Sequence, residues 1–166
     1  VDAVTTTIAA RRAAAGTDAG DVVVLFVDLD GFKAVNDRHG HEEGDAVLRR
    51  MADRLAGAVR ERDLAARYGG DEFTVLLDGH VGAPEVAALV ARVGAALAEP
   101  IEVAGQAMAL GASIGVGRQG VATADVDALL SEADAEMYRH KRADGAAAIA
   151  VEPDEVPGIV EAVAHH

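Results

Sequence analysis

The feature that most constrains the fold is a connection rich in glycine and acid between two short apolar runs. Residues 64–68 form one run, residues 73–77 form the other, and Gly69-Gly70-Asp71-Glu72 lies between them. This pattern predicts a β-hairpin that presents two carboxylates at its tip. A solvated turn is the alternative, but it needs neither a second acid nor Arg67 just upstream.

A second acidic group follows a continuous apolar run over residues 22–27, which is typical of a strand buried on both faces. The run ends in Asp28-Leu29-Asp30-Gly31. Carboxylates at the end of a buried strand are costly unless they are hydrogen-bonded or bind a metal. A solvated turn at the strand's exit explains one aspartate more easily than two.

The remaining pattern predicts helices alternating with strands. The apolar periodicity and the caps predict helices over residues 32–39, from about 44 to 59, from 84 to 100 and from 125 to about 142, after an opening helix before residue 20. A second hairpin is expected from residues 101–103 and 108–117 around a turn at Ala104-Gly105, and a last strand over residues 146–151.

This order predicts an α/β fold with a mixed, mostly antiparallel sheet flanked by helices. The 166 residues are one domain's worth of chain, and the 51% hydrophobic content is enough for a real core. We expect one domain over residues 1–150, followed by an acidic, proline-marked tail over residues 151–166.

Charge and composition limit the partners. The net charge of −13 argues against nonspecific binding to nucleic acid or to an anionic membrane, although a divalent cation can bridge carboxylates to a phosphate ligand. The chain has no cysteine, no apolar run near the roughly 18 residues of a membrane span and no signal-peptide pattern. We expect a cytoplasmic protein.

The acids acquire a joint role if the first strand and the hairpin lie side by side in one sheet. Asp28 and Asp71 then converge, with Asp30 and Glu72 nearby. Clustered carboxylates without cysteine favour a hard cation, Mg²⁺ or Mn²⁺. Separately, the amide of Asn36 and the carboxylate of Asp45 are suited to hydrogen-bonding the edge of guanine. The simpler alternatives are that Asn36 is an ordinary loop residue and that Asp45 is an ordinary helix cap.

With these residues in hand, the chain resembles the GGDEF family of diguanylate cyclases from about residue 22 to residue 141. Three separated motifs carry the resemblance: residues 28–33 with Asn36-Asp37, then Gly40-His41 with Gly44-Asp45, then residues 67–73. The resemblance implies a five-stranded sheet like the palm of nucleotide cyclases. It also implies that two GTP molecules are joined into cyclic di-GMP with release of two pyrophosphates.

The resemblance also implies roles for the acids. Asp28 and Asp71 match metal ligands, and the carbonyl of Leu29 completes the protein's share. Asp71 matches the position that deprotonates the attacking 3′-hydroxyl, and Glu72 supports the metal site. The matching substrate-binding positions are Phe32, Lys33, Asn36, His41, Asp45, Gly69, Gly70 and Lys141.

Arg60 and Asp63 match the Arg-x-x-Asp of the family's product-inhibition site, with an ordinary charged helix end as the alternative. Because each domain of the family holds one GTP, the resemblance implies a homodimer for catalysis, and a sensor region in the parent chain.

The chain departs from the family pattern at two places. The opening segment, residues 2–10, keeps only the beginning of the family's usual motif, and Asp144-Gly145-Ala146 lacks the arginine that usually follows the lysine and glycine. Arg139 or Arg142 is a candidate replacement. A domain that binds GTP or cyclic di-GMP without making the product is therefore the alternative to an enzyme.

Overall fold

The fold is built on an antiparallel sheet with β1 near its middle. The computed structural model describes residues 6, 20–77 and 81–149, with side chains as far as residue 142. Within this part, the strand order of the main sheet is β2-β3-β1-β6. Its strands are β1 Asp21–Asp30, β2 Leu64–Gly69, β3 Glu72–Leu77 and β6 Gly111–Gly120.

Helices cover both faces of this sheet. They are α1 Phe32–His39, α2 His41–Ala58, α3 Ala83–Ala98 and α4 Val126–Ile149, with a short 3₁₀ turn at Val121–Thr123. Helices α1 to α3 pack on the face that carries Val23, Leu25 and Val27, and α4 packs on the opposite face. The result is a three-layer α/β fold, as the sequence predicts.

The apolar run of β1 is buried on both faces, as its composition predicts. Residues 22–27 are each at most 3% exposed, and alternate side chains enter the two separate cores. The chain turns polar where β1 leaves these cores, at Asp28 and Asp30. The strand therefore ends by delivering carboxylates to one end of the sheet.

The predicted acidic hairpin is confirmed. Strands β2 and β3 pair in antiparallel fashion around Gly70 and Asp71, with a register shift between Arg67 and Gly69. Gly70 has φ +52°, a conformation that favours glycine. The turn therefore needs its glycine, as expected.

The second predicted hairpin is wrong in its partner. Strand β4, Ile101–Val103, pairs with β5, Gln106–Met108, around Ala104 and Gly105, and these two short strands form a separate ribbon. Both turn residues have positive φ, as a two-residue type I′ turn requires. Strand β6 instead pairs with β1 along all ten of its residues. This longer pairing completes the burial of the central strand.

The predicted last strand over residues 146–151 is also wrong, because α4 continues to Ile149. Residues 146–148 are alanines, which have the highest helix propensity. Four strands therefore form the main sheet in the described part of the chain, where the resemblance implied five. Residues 150 and 151, the proposed tail and nearly all of the predicted opening helix lie outside the described residues.

The helix boundaries agree with their sequence signals apart from the start of α2 and the end of α4, which was expected at about residue 142. Helix α2 begins at His41, three residues before the predicted start, and Glu42 and Glu43 suit its first turn. Asp125 caps α4, since its carboxylate accepts from the backbone N–H of Ala128 at 2.8 Å.

Among the described helices, none combines the length and apolar character needed to cross a membrane.

Glycines in β6 let α4 lie directly on the sheet. A Cβ at Gly115 would lie 2.0 Å from the carbonyl oxygen of Ala133, and one at Gly117 would lie 2.3 Å from that of Leu129. No L side chain fits at these distances. The pair therefore sets how close α4, and with it Lys141, comes to the end of β1.

Candidate functional site

The end of β1 and the tip of the hairpin form one acidic site. Asp28 lies directly opposite Glu72 in the pairing of β1 with β3. The backbone N–H of Leu29 donates to the carbonyl of Asp71 at 3.2 Å. The pairing of neighbouring strands thus brings together three of the four acids predicted to act jointly, Asp28, Asp71 and Glu72.

Arg67 braces the hairpin tip from within. Its Nε and Nη2 atoms donate to the carbonyl oxygen of Gly70 at 2.9 and 2.6 Å. A charged donor bound twice to one carbonyl holds the turn in a defined orientation. An ordinary turn does not need this arginine, and the spacing of the motif does not predict its contact with Gly70.

A cation from α4 reaches the same acids from the opposite face. The Lys141 ammonium forms an ion pair with Asp28, and it lies 3.6 Å from Oδ1 of Asp30. Asp30 also accepts from the Oγ of Ser113, at 3.0 and 3.1 Å to its two oxygens. Ser113, on β6, is a contact residue of the site that the sequence analysis did not single out.

The crowding of negative charge alters the protonation of two groups. The pKa of Glu72 is raised, first by partial burial and then by the charges of Asp28, Asp71 and Asp134. Burial lowers the pKa of Lys141, but its hydrogen bond and charge interaction with Asp28, together with Asp30, outweigh burial and raise it. The site therefore favours bound positive charge.

The donors present fit a hard divalent cation. Asp28 and Asp71 provide carboxylates, the backbone of Leu29 is part of the same corner, and every donor is oxygen. In the described part of the chain, no group of three or more His, Cys, Asp or Glu side chains closes around one point. Such a partial donor set suits Mg²⁺, which is usually held by one or two carboxylates together with substrate phosphates.

A cavity of about 310 Å³ opens on the other side of the hairpin tip, between α1 and α2. Most of the predicted substrate-binding residues line it, and Asp71 joins it to the acidic site. Gly69 and Lys141 are not in its lining. The lining residues are Phe32, Lys33, Asn36, His41, Asp45, Leu48, Arg67, Gly70 and Asp71.

Gly44 makes the close approach of α1 and α2 possible. A Cβ at this position would lie 1.9 Å from Oδ1 of Asn36 and 3.3 Å from Cζ of Phe32. The glycine of the Gly44-Asp45 motif is therefore needed for space. Its missing side chain leaves room for the Asn36 carboxamide, which lines the same cavity as Asp45.

A larger groove of about 540 Å³ adjoins this cavity and shares Asp45, Leu48 and Arg67 with it. The rest of its lining is mostly apolar, with several alanines from α2 and β2. The smaller cavity is the better candidate for a nucleotide, because amide, carboxylate, imidazole and ammonium groups converge on it.

Arg60 and Asp63 lie apart from the nucleotide cavity, in a turn closed by two hydrogen bonds. The backbone N–H of Arg60 donates to Asp63 Oδ2 at 3.0 Å, and that of Asp63 donates to the Arg60 carbonyl at 2.9 Å. They line a cavity of about 110 Å³ together with Glu85 and Arg92. Arg92 is a second cation that the sequence analysis did not predict here.

The two candidate replacements for the missing arginine make other contacts. Arg139 donates to the Ala135 carbonyl on its own helix at 3.4 Å, and the Arg142 guanidinium lies 6.0 Å from the centre of the Tyr138 ring. Neither of these contacts reaches the acidic site. Among the side chains that the structure describes, these two arginines therefore show no contact that replaces the missing one.

The fold and this site define the class of protein. The family model "Diguanylate cyclase, GGDEF domain" matches residues 3–146, and the chain belongs to this family. The expected resemblance is thereby confirmed.

Named relatives agree with this assignment. Diguanylate cyclase TpbB of Pseudomonas aeruginosa is 39% identical over 122 residues, which cover 73% of this chain and 28% of TpbB. The crystal structure of the TpbB GGDEF domain matches with a TM-score of 0.76 and 35% identity, covering 83% of this chain and 86% of that one.

A second structural neighbour is a GGDEF domain of known ligand. The DgcB domain from Caulobacter crescentus, solved in complex with c-di-GMP, matches with a TM-score of 0.76 and 25% identity, covering 86% of this chain and 84% of that one. The chain spans less than a third of the length of TpbB, so the similarity concerns one domain of that relative.

Proposed function

We propose that the domain is a diguanylate cyclase, which joins two GTP molecules into cyclic di-GMP and releases two pyrophosphates. The observation that carries this proposal is the position of Asp71. It lines the cavity between α1 and α2, and its backbone carbonyl accepts a hydrogen bond from the N–H of Leu29, next to Asp28. A nucleotide in that cavity would have its phosphates next to the acidic site.

Different groups in the cavity would bind the base and the phosphates of GTP. Asn36 and Asp45 would hydrogen-bond the guanine edge, because a carboxylate can accept from its exocyclic amine and its ring N–H. His41 would contact the substrate. Phe32 and Lys33, at the start of α1, would offer backbone N–H groups to the phosphates.

The other face of the hairpin would serve the phosphates. Gly69 and Gly70 would let the triphosphate approach the backbone, since neither carries a side chain. The Lys141 ammonium, already paired with Asp28, would bind phosphate oxygens from α4.

Mg²⁺, or Mn²⁺, would be held by Asp28, Asp71 and the carbonyl of Leu29. When bound, this ion would neutralise charge on the phosphates and favour loss of the hydroxyl proton. The Asp71 carboxylate would take the proton of the 3′-hydroxyl as that oxygen bonds to the α-phosphorus of the second GTP and pyrophosphate leaves. Glu72 would support the arrangement as a neighbouring carboxylate.

Catalysis would require two domains facing each other, since each holds one GTP. The reaction would depend mainly on positioning, so dimerisation would control its rate. A sensor region in the parent chain would drive this pairing, and the location would be cytoplasmic. Arg60 and Asp63 would bind the product and slow the reaction, with guanidinium groups suited to phosphate and guanine.

A second candidate is a domain that binds GTP or cyclic di-GMP and signals through a partner. The observation favouring it is that Arg139 and Arg142 make contacts away from the acidic site. The phosphates would then have one cation fewer than in the family pattern. The acids of the hairpin and Lys141 favour the enzyme.

The decisive experiment is to incubate the purified domain at high concentration with GTP and Mg²⁺ and to separate the nucleotides by chromatography. We expect cyclic di-GMP from the wild type, and a loss of about 10³-fold or more in Asp71→Ala, because this residue serves both the proton and the phosphates. Glu132→Ala, which changes an exposed carboxylate on α4, is the matched control.

The outcomes separate the two candidates. Saturable GTP or cyclic di-GMP binding without product would favour the binding domain. A rate per domain that rises with domain concentration would support the dimer. Inhibition by added cyclic di-GMP that weakens in Arg60→Ala would support the inhibitory cavity.

A further inference from the structure

Asp30 has no role in the proposed reaction, yet three elements of the fold converge on its carboxylate. It ends β1, it accepts from Ser113 on β6, and it lies beside Lys141 on α4. Its side chain is 39% exposed, so more than half of the group is covered by protein. A carboxylate held this way needs a reason beyond solubility.

Ser113 is a buried serine whose hydroxyl has a defined hydrogen-bond partner. It is 5% exposed and, with Thr74, is one of two buried polar residues in the described part of the chain. A buried hydroxyl is costly without a partner, and Asp30 supplies two acceptor oxygens at 3.0 and 3.1 Å. Because the acceptor is a carboxylate, this hydrogen bond is of the stronger kind.

The backbone opposite Asp30 leaves room for this arrangement. Gly111 is the pairing partner of Asp30 across β1 and β6. A Cβ at Gly111 would lie 3.1 Å from Oδ2 of Asp30 and 3.4 Å from its Cβ. A side chain there would press on the carboxylate that Ser113 orients.

We propose that Asp30 and Ser113 are positioning residues that hold the Lys141 ammonium at the phosphate end of the site. Lys141 has two carboxylate partners, Asp28 and Asp30. Asp28 is also an expected metal ligand, so Asp30 is the partner left to Lys141 when the site is in use. Ser113 fixes the Asp30 carboxylate, and Asp30 fixes the ammonium.

This inference rests on the proposed function, because it takes the ligand of Lys141 to be the triphosphate of GTP. It goes beyond that function by assigning a shared purpose to two residues that touch neither the base nor the reacting atoms. It predicts that the purpose is visible only with ligands that carry phosphates.

The test compares two ligands in titrations of the purified domain with Mg²⁺. One is 3′-deoxy-GTP, which lacks the attacking hydroxyl and cannot be cyclised, and the other is guanosine, which lacks the phosphates. We expect Ser113→Ala to bind 3′-deoxy-GTP about tenfold more weakly, the loss typical of one hydrogen bond to a charged group, with guanosine unchanged. Ser113→Thr keeps the hydroxyl and should restore binding.

Two further variants make the result specific. Asp30→Asn changes a partly exposed residue, so it provides the same test if the melting temperature of Ser113→Ala is well below that of the wild type. Thr74→Val removes the other buried hydroxyl, away from Asp30, and should leave the ratio of the two affinities unchanged. In a Lys141→Met background, Ser113→Ala should cause no further loss, because the group it positions is gone.

Two results would overturn the inference. One is an equal loss for guanosine and 3′-deoxy-GTP in Ser113→Ala, which would indicate general loosening of the sheet. The other is an undiminished effect of Ser113→Ala in the Lys141→Met background. If the wild type binds neither ligand, the proposed function fails and this inference fails with it. If the wild type binds and only the variants give one of these two results, the proposed function survives.

Discussion

The two sides of the hairpin tip are held by different physical means. On the α1–α2 side, the cavity depends on close packing, since Gly44 leaves no room between its own Cα and the Asn36 carboxamide. On the α4 side, Lys141 is held by the carboxylates of Asp28 and Asp30. The cavity therefore depends on packing, whereas the position of the Lys141 ammonium depends on charge.

Glycines nevertheless matter on both sides, and their neighbours differ in kind. Gly115 faces the backbone of α4, which cannot turn away, whereas Gly44 faces the end of a side chain, which can. Replacing glycine with alanine should therefore destabilise the fold at Gly115, but at Gly44 it should mainly displace the Asn36 side chain.

The largest expected effect is that of Gly115→Ala. The new methyl group would lie 2.0 Å from the Ala133 carbonyl, so α4 must move off the sheet. We expect a loss of about 3 kcal/mol in the free energy of unfolding and a fall of roughly 10 °C in the melting temperature, measured by calorimetry.

Gly57→Ala is the control for this substitution. Gly57 lies in α2 with nothing within 4 Å of an added Cβ, so alanine should stabilise the helix by up to about 1 kcal/mol. Equal melting temperatures for Gly115→Ala and the wild type would show that α4 does not lie directly on β6.

An intermediate effect is expected for Gly44→Ala. The Asn36 carboxamide can rotate away from the new methyl group, so the melting temperature should fall by no more than roughly 4 °C. Affinity for 3′-deoxy-GTP should nevertheless fall about tenfold, since the group proposed to bind guanine is displaced. Unchanged affinity in a titration would remove Asn36 from the binding site and leave Gly44 a packing role alone.

The smallest effect is expected for Glu72→Gln, measured without a divalent cation. Because the pKa of Glu72 is raised above 4.5 in the folded domain, the folded state binds the proton more tightly than the unfolded state does. Ionised Glu72 therefore lowers stability at neutral pH, and this loss disappears as the pH falls toward 4.5. Glu72→Gln should melt slightly higher than the wild type at neutral pH.

The pH dependence distinguishes this prediction from a general effect of removing charge. The advantage of Glu72→Gln should shrink on acidification, and Glu132→Gln, which removes a charge from the exposed face of α4, is the matched control. A variant that melts lower than the wild type at pH 7 would mean that the carboxylate is stabilised by its surroundings.

Local signals predicted most of the elements correctly. The β1 run, the acidic hairpin, the proline at the start of α3 and the Asp125 cap all depend on a few neighbouring residues. The errors concern distant partners. The spacing predicts a hairpin between residues 108–117 and their nearest strand, but β6 pairs instead with the buried β1 along ten residues.

The candidate site shows the same division. The acids and the cavity residues were identified from motifs, and the cavity contains most of them. The brace from Arg67, the approach of Arg92 to the Arg60 turn and the hydrogen bond from Ser113 to Asp30 were not. Each of these depends on a direction that a side chain takes in the folded chain, which spacing does not specify.

The sequence by itself determined which residues are acidic, which runs are apolar and where the chain must turn, because these follow from side-chain chemistry and backbone freedom over short distances. Only the tertiary structure decided that Lys141 meets Asp28 across 113 positions of chain. That contact depends on how β6 pairs with β1 and on how closely its glycines let α4 approach. Such contacts are properties of the packed sheet and helix together, and no single stretch of the sequence contains them.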